Sequence, residues 1–234
     1  FYGVPFHHIP VTKETKEAAE AVIASLTVPE GIDPAAVQGV EDGVLTVGME
    51  CTYAPYNWTQ TNADNDAVKI KNADGYANGY DVQAARKIAA SLGVELEIYA
   101  YKWDALIPAV ESGTIDCVIA GMSPTAERKA VLDFSDNYYV SNLVIIVRED
   151  GAYANAQSLA DFKGCSIGAQ AATFHAEALK QIEDVKENIL DDFTLLYTAL
   201  TANTIDGYVA EEPTAYSICS EGSGLTFAPL VNNS

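Results

Sequence analysis

The feature that most constrains this chain is a change of hydrophobic period that recurs along it: short apolar runs alternate with stretches whose apolar positions repeat every three or four residues. Val-Leu-Thr-Val-Gly-Met (44 to 49) reads as a short buried strand. From Tyr80 to Leu92, Val82, Ala85, Ala89 and Leu92 fall on one helical face, and Gly93 stands where a residue just past a helix adopts positive φ. Alternation at Val94, Leu96 and Ile98 predicts a second strand. Asp104 is placed to cap a helix through Ser112 that Gly113 stops, and Ile115 to Ala120 predicts a third strand. Strands joined through a helix are nearly always parallel and right-handed. A sheet of this kind takes its ligand outside the carboxyl ends of its strands, and those ends are Glu50 and Gly121-Met122-Ser123.

Residues 50 to 60 read as an irregular loop, and the stretch rich in Asn, Asp and Gly from Thr61 to Asn78 as a solvated hairpin. Asn62, Asp64 and Asp66 alternate there, without the glycine and terminal glutamate of a calcium loop. A second cycle follows. Leu143 to Val147 is a long apolar strand, Ser158 opens a helical turn, and Cys165 to Ala169 is a strand. Thr173 to Ile182 and Phe193 to Thr201 are helices, and the strand Ile205 to Ala210 ends at the acidic pair Glu211-Glu212. The expected fold is α/β, two lobes that are each a mostly parallel sheet flanked by helices. Its expected divisions are an N-terminal extension over residues 1–42, lobe one over 43–141 and lobe two over 142–234, with the crossing at Val140 to Asn142 as a hinge.

Thirty-three acidic residues against thirteen basic give a formal charge of −20, which repels a phosphate backbone and an anionic bilayer alike, so nucleic acid is not an expected partner. No apolar run approaches the ~18 residues of a membrane span. Cys51, Cys117, Cys165 and Cys219 show neither CxxC nor Cys/His metal spacing and read as buried small residues; one disulfide in an oxidising compartment is the alternative. His7, His8 and His175 build no triad or metal set by themselves. In the sequon Asn57-Trp58-Thr59, Trp58 reads as a pocket wall more readily than Asn57 as a sugar acceptor.

Five segments carry a resemblance: Gly-Met-Glu-Cys-Thr-Tyr-Ala-Pro-Tyr-Asn-Trp (48 to 58), Gly-Tyr-Asp-Val (79 to 82), Trp-Asp-Ala-Leu-Ile-Pro-Ala-Val (103 to 110), Ile-Asp-Cys-Val-Ile-Ala-Gly-Met-Ser-Pro-Thr-Ala-Glu-Arg-Lys (115 to 129) and Asp-Phe-Ser-Asp-Asn-Tyr-Tyr (133 to 139). In this order they resemble the polar amino-acid class of bacterial solute-binding proteins, to which histidine-, arginine- and glutamine-binding receptors belong. The resemblance implies a two-lobed receptor with its ligand in the interlobe cleft. It implies an extracytoplasmic bacterial protein, periplasmic or lipid-anchored, a monomer that hands a free L-amino acid to ABC permease subunits without a cofactor. A signal peptide or lipoprotein anchor would be expected to have been removed.

A zwitterion leaves water only if each charge meets an opposite one. Arg128 matches the family's carboxylate-binding arginine, helped by the Ser123 hydroxyl and the backbone amides at Gly121 and Ser123. The turn Gln170-Ala171-Ala172-Thr173-Phe174 offers backbone N–H groups to the same carboxylate, through Thr173 or Phe174. Many relatives carry glycine where this chain has Ala172. Glu211 matches the acid that holds the α-ammonium, with Glu212 facing solvent. Tyr53 and Trp103 match positions flanking the ligand side chain, and Trp58 and Gln170 join the same pocket. Glu50 matches the position that reaches the distal group, which favours lysine, arginine, ornithine or histidine, with glutamine or another polar amino acid as the alternative. A ligand-sensing module and a dehydratase of the cyclohexadienyl type share this fold; the only acid or base a catalyst would have is Glu50. The resemblance also implies a closing strand and helix on lobe one after a strand such as 225–230. Phe1 to Ile9 as a strand and Lys13 to Leu26 as a helix are expected to stand in for them, or else to form a separate extension.

Overall fold

The computed structural model describes residues 32–229, which form two compact units divided between Tyr139 and Val140. The expected elements at Phe1–Ile9 and Lys13–Leu26 lie outside the described residues.

The first unit is built on three parallel strands in the order β6-β1-β7, with β1 at Val44–Met49, β6 at Glu95–Ala100 and β7 at Cys117–Val118. The central strand β1 has Val47 and Met49 fully buried, as a strand covered on both faces must be. Helix α1 (Tyr80–Leu92) lays Val82, Ala85 and Ala89 on this sheet, and Gly93 ends it in the left-handed conformation, φ 69°. Helix α2 spans Trp103–Glu111. Its N-cap is Lys102, and Asp104 stands in the exposed first turn without capping, where its charge still suits the positive end of the helix.

Strand β7 is shorter than the run Ile115 to Ala120 suggests, because a side chain replaces part of its ladder: Asp116 Oδ2 accepts from both the backbone N–H and the hydroxyl of Thr46. The loop expected at 50–60 contains two strands, β2 (Thr52–Tyr53) and β3 (Asn57–Gln60). With β4 (Val68–Lys69) and β5 (Tyr76–Asn78) they form an antiparallel sheet in the order β2-β3-β5-β4. The expected hairpin is its β4/β5 arm, and the segment from β3 into β4 is tied by the Gln60 and Asn62 side chains to Asp64.

The second unit carries a five-stranded sheet, β10-β9-β11-β8-β12. The strands are β8 (Leu143–Arg148), β9 (Ser166–Gln170), β10 (Lys186–Leu190), β11 (Gly207–Glu211) and β12 (Leu225–Pro229). Strands β9, β10 and β11 are parallel; β8 runs against both its neighbours, so this sheet is mixed. Strand β10 has no counterpart in the sequence reading. Ser158 and Asp161 form a capping box on the short turn Leu159–Phe162. Helices α4 (Phe174–Leu179) and α5 (Phe193–Thr201) follow β9 and β10, and α6 (Glu212–Ile218) follows β11. The core is Ile145, Phe162, Ile167, Leu179 and Val209.

Candidate ligand-binding site

In the first unit every sequence-predicted residue but Trp58 follows the carboxyl end of a parallel strand: Glu50 and Tyr53 after β1, Trp103 after β6, and Gly121, Ser123 and Arg128 after β7. That edge is where an open α/β sheet presents its ligand site. Arg128 lies in the short helix α3 (Ala126–Lys129), whose N-cap Thr125 accepts from the Arg128 backbone N–H. Its side chain is buried. One Nη1 bond runs to Ser123 O at 3.0 Å, and the guanidinium lies 5.1 Å from the Trp103 ring centroid. Burial lowers the Arg128 pKa, partly opposed by Glu127. A planar cation held against an indole is shaped to receive a carboxylate in its plane.

Glu50 is buried, as is Tyr53, whose ring stacks on Tyr56 at 5.0 Å. Gly121, at φ 60°, lies against both rings: an added Cβ would stand 3.5 Å from Tyr53. The amide of Gly121, expected to face a ligand carboxylate, instead donates to Tyr138 Oη at 2.9 Å. Tyr138 donates in turn to Asp81 Oδ1 at 2.8 Å, and Asn57 Nδ2 donates to Asp81 Oδ2 at 2.7 Å while its Oδ1 accepts from the Cys51 N–H. This buried network ties the segments that follow β1 and β7 to the start of α1. Asp81 is fully buried, which pushes its pKa up to about 6 against the pull of its hydrogen bonds to Asn57 and Tyr138 and of the nearby Gly121 amide. Asn57 has no exposed surface, so its sequon offers no sugar acceptor in the folded unit. Trp58, half-buried on β3, points to the opposite face from Asn57, and no hydrogen bond or ring contact among the described residues joins it to Arg128 or Trp103.

In the second unit the predicted residues again follow parallel strands. Gln170 ends β9, and its Nε2 donates to Asp191 O at 3.1 Å, bracing the segment after β10. Thr173 is the N-cap residue of α4 and its hydroxyl donates to Gln170 O at 2.7 Å, so its backbone N–H is what it can donate to an anion. Phe174 is half-buried, and its ring tilts over that of His175 at 4.5 Å. Ala172 takes φ 56°, the left-handed region in which a glycine has no penalty. Glu211 is buried at the end of β11, and burial pushes its pKa up to about 8. It is the N-cap residue of α6 without capping it. Its Oε1 lies 3.3 Å from His175 Nε2, and its Oε2, also buried, meets no hydrogen-bond donor among the described residues. Glu212 is half-buried and accepts from Asn142 Nδ2.

The profile of the bacterial extracellular solute-binding proteins, family 3, matches residues 45–188, more than half of the chain. The chain belongs to this family. Among its relatives, the arginine-binding extracellular protein ArtP of Bacillus subtilis is 37% identical over 122 residues, 52% of this chain and 46% of that protein. The L-cystine-binding protein TcyJ of Escherichia coli is 29% identical over 202 residues, 86% of this chain and 71% of that one. The arginine-bound, truncated form of ArgBP from T. maritima superposes with a TM-score of 0.72 at 28% identity, covering 83% of this chain and 87% of that one. The fold is therefore that of the two-lobed amino-acid-binding proteins in this family.

Sequence reasoning passed over Asp81, Tyr138 and His175, although Asp81 lies inside a segment of the family resemblance. His175 did carry a signal. With Ala178 and Leu179 it occupies the i, i+3, i+4 face of α4, and all three are buried.

Proposed function

We propose that this chain is the extracytoplasmic receptor of an amino-acid ABC importer and that it takes a free L-amino acid without chemically altering it. The carrying observation is the buried Oε2 of Glu211, an acceptor at a strand's carboxyl end that meets no donor among the described residues. A buried carboxylate oxygen left in that state is costly unless a ligand supplies the hydrogen bond, and an α-ammonium supplies three N–H donors. Arg128 takes the ligand carboxylate, together with backbone N–H groups of the 172 to 174 turn, and Trp103 and Tyr53 flank the side chain. A receptor of this kind closes when its ligand has the higher affinity for the closed form. The receptor works as a monomer at the outer face of the cell membrane, in the periplasm or on a lipid anchor, and delivers to its permease.

Glu50 favours a ligand with a distal cation: arginine, lysine, ornithine or histidine. The relatives support that order, since one is named for arginine. A second reading is L-cystine, favoured by the likeness to TcyJ over most of the chain; its far end carries an ammonium that Glu50 would also suit. Glutamine follows if Glu50 accepts an amide. Calorimetric titration of the ligand-free protein with the twenty amino acids, ornithine and cystine tests the proposal. Binding of a basic amino acid that Glu50→Gln weakens more than it weakens glutamine supports it. Equal loss for all ligands removes the basic preference, and no binding to any removes the receptor reading.

A further inference from the structure

The receptor reading leaves His175 without a task, yet its imidazole lies 3.3 Å from the carboxylate that reading depends on. His175 is buried on α4 with Nε2 3.3 Å from Glu211 Oε1, and its ring is enclosed by Phe174 at 4.5 Å and by the edge of Phe193 at 5.8 Å. A lone-pair nitrogen and a carboxylate oxygen at that separation repel unless a proton lies on one of them.

The other groups described around the pair are neutral, already engaged or distant. Gln170 from β9 and Thr214 from α6 are neutral and buried. Asp192 at the start of α5 accepts from the Leu195 N–H, and Glu212 of α6 accepts from Asn142. Arg148 of β8 sits at the far end of the sheet, beyond the Gly207↔Val147 pair, holding Leu200 O and Ile205 O. At the end of α4, Lys180 is joined to Glu177 on the surface. Among the described residues, His175 is thus a titratable base within ion-pair distance of Glu211.

Building on the receptor reading, we infer that His175 is a positioning residue that shares one proton with Glu211 in the empty site and releases it when a ligand ammonium takes Glu211. Burial acts in the same direction, since it lifts the Glu211 carboxyl to about 8 and so keeps a proton within the pair at neutral pH. An arriving ammonium carries the same charge as an imidazolium. The two cannot both lie against one buried carboxylate without strong repulsion, so the proton leaves. Ligand uptake then opposes acid: affinity falls by up to about tenfold for each pH unit below the pair's titration.

The test joins binding and spectroscopy on the intact protein. L-Arginine affinity is measured from pH 8 to pH 5.5, and the His175 ring is followed by NMR with and without saturating L-arginine, with His7 and His8 as internal references. The expected result is an affinity that falls with pH and a His175 titration that moves down by about one unit or more on binding. In ligand-free Glu211→Gln, the same titration falls by at least about one unit. A flat affinity profile overturns the inference. So does a sloping profile in which His175 does not respond, because the proton would then belong to Glu211 alone. Failure of every amino acid to bind at pH 8 instead overturns the receptor reading and takes this coupling with it.

Discussion

Replacing Tyr138 with Phe removes one hydroxyl and leaves two buried groups without their partner: Asp81 Oδ1, which accepts from it at 2.8 Å, and the Gly121 N–H, which donates to it at 2.9 Å. A hydrogen bond to a buried carboxylate is worth about 1.5–3 kcal/mol, and an orphaned buried amide costs about 1–3 kcal/mol. The two together predict a loss of roughly 3–5 kcal/mol at pH 8. The size should depend on pH in a defined direction. Asp81 titrates near 6 in the fold against 3.8 without it, so the stability from its protonation is fully present below 3.8 and lost as the pH rises through 6. Near pH 5 the severed bond joins neutral groups, and the loss should shrink by about 1–2 kcal/mol. Urea unfolding followed by tryptophan fluorescence isolates the relevant unit, because Trp58 and Trp103 are the chain's two tryptophans and both lie in it. A destabilisation below about 1 kcal/mol, or one equal at pH 5 and pH 8, would refute the account of this network.

Other perturbations follow from backbone geometry and burial. Ala172→Gly should raise the melting midpoint of the second unit, by about 1 kcal/mol in stability, since Ala172 holds φ 56°; an unchanged or lower midpoint by circular dichroism counts against that strain. Gly79→Ala should destabilise the first unit by more than about 3 kcal/mol in the same urea assay, because φ is 127° and the new Cβ would stand 2.2 Å from Tyr56 O. Cys51, Cys117 and Cys219 have thiols pushed up to about 12, with burial the leading cause, so a maleimide at pH 7.5 should label them slowly in the native protein and label all four cysteines promptly in urea. Rapid native labelling at Cys51 would contradict its placement.

What the sequence disclosed was what depends on local rules. The face of α1 and its Gly93 stop, the start of α4 at Thr173 and the apolar run of β8 each state their conformation within a dozen residues. Strand β10 was missed because Lys-Glu-Asn-Ile-Leu sits on a sheet edge, where neither an apolar run nor strict alternation is required. The small antiparallel sheet was missed because strands of two to four residues are fixed by their partners. The placement of the candidate residues at strand ends was legible from topology together with the family resemblance. Their supports were not. Asp81 opens a helix, where an acid ordinarily faces water, and only the fold brings the Pro55 and Tyr56 carbonyls onto the Tyr80 and Asp81 amides and buries it. The Tyr138 hydroxyl reaches Asp81 across fifty-seven positions, a separation no periodicity encodes.

The central claim, that a guanidinium and a buried carboxylate grip the two charges common to every free amino acid, is tested most directly with ligands lacking one charge at a time. Once the titration has named the amino acid, its methyl ester and its Nα-acetyl derivative are titrated against the same protein. Both should bind at least about a hundredfold more weakly than the parent, the ester for want of a partner for Arg128 and the acetyl derivative for want of one for Glu211. Either derivative binding as tightly as the parent would contradict the account.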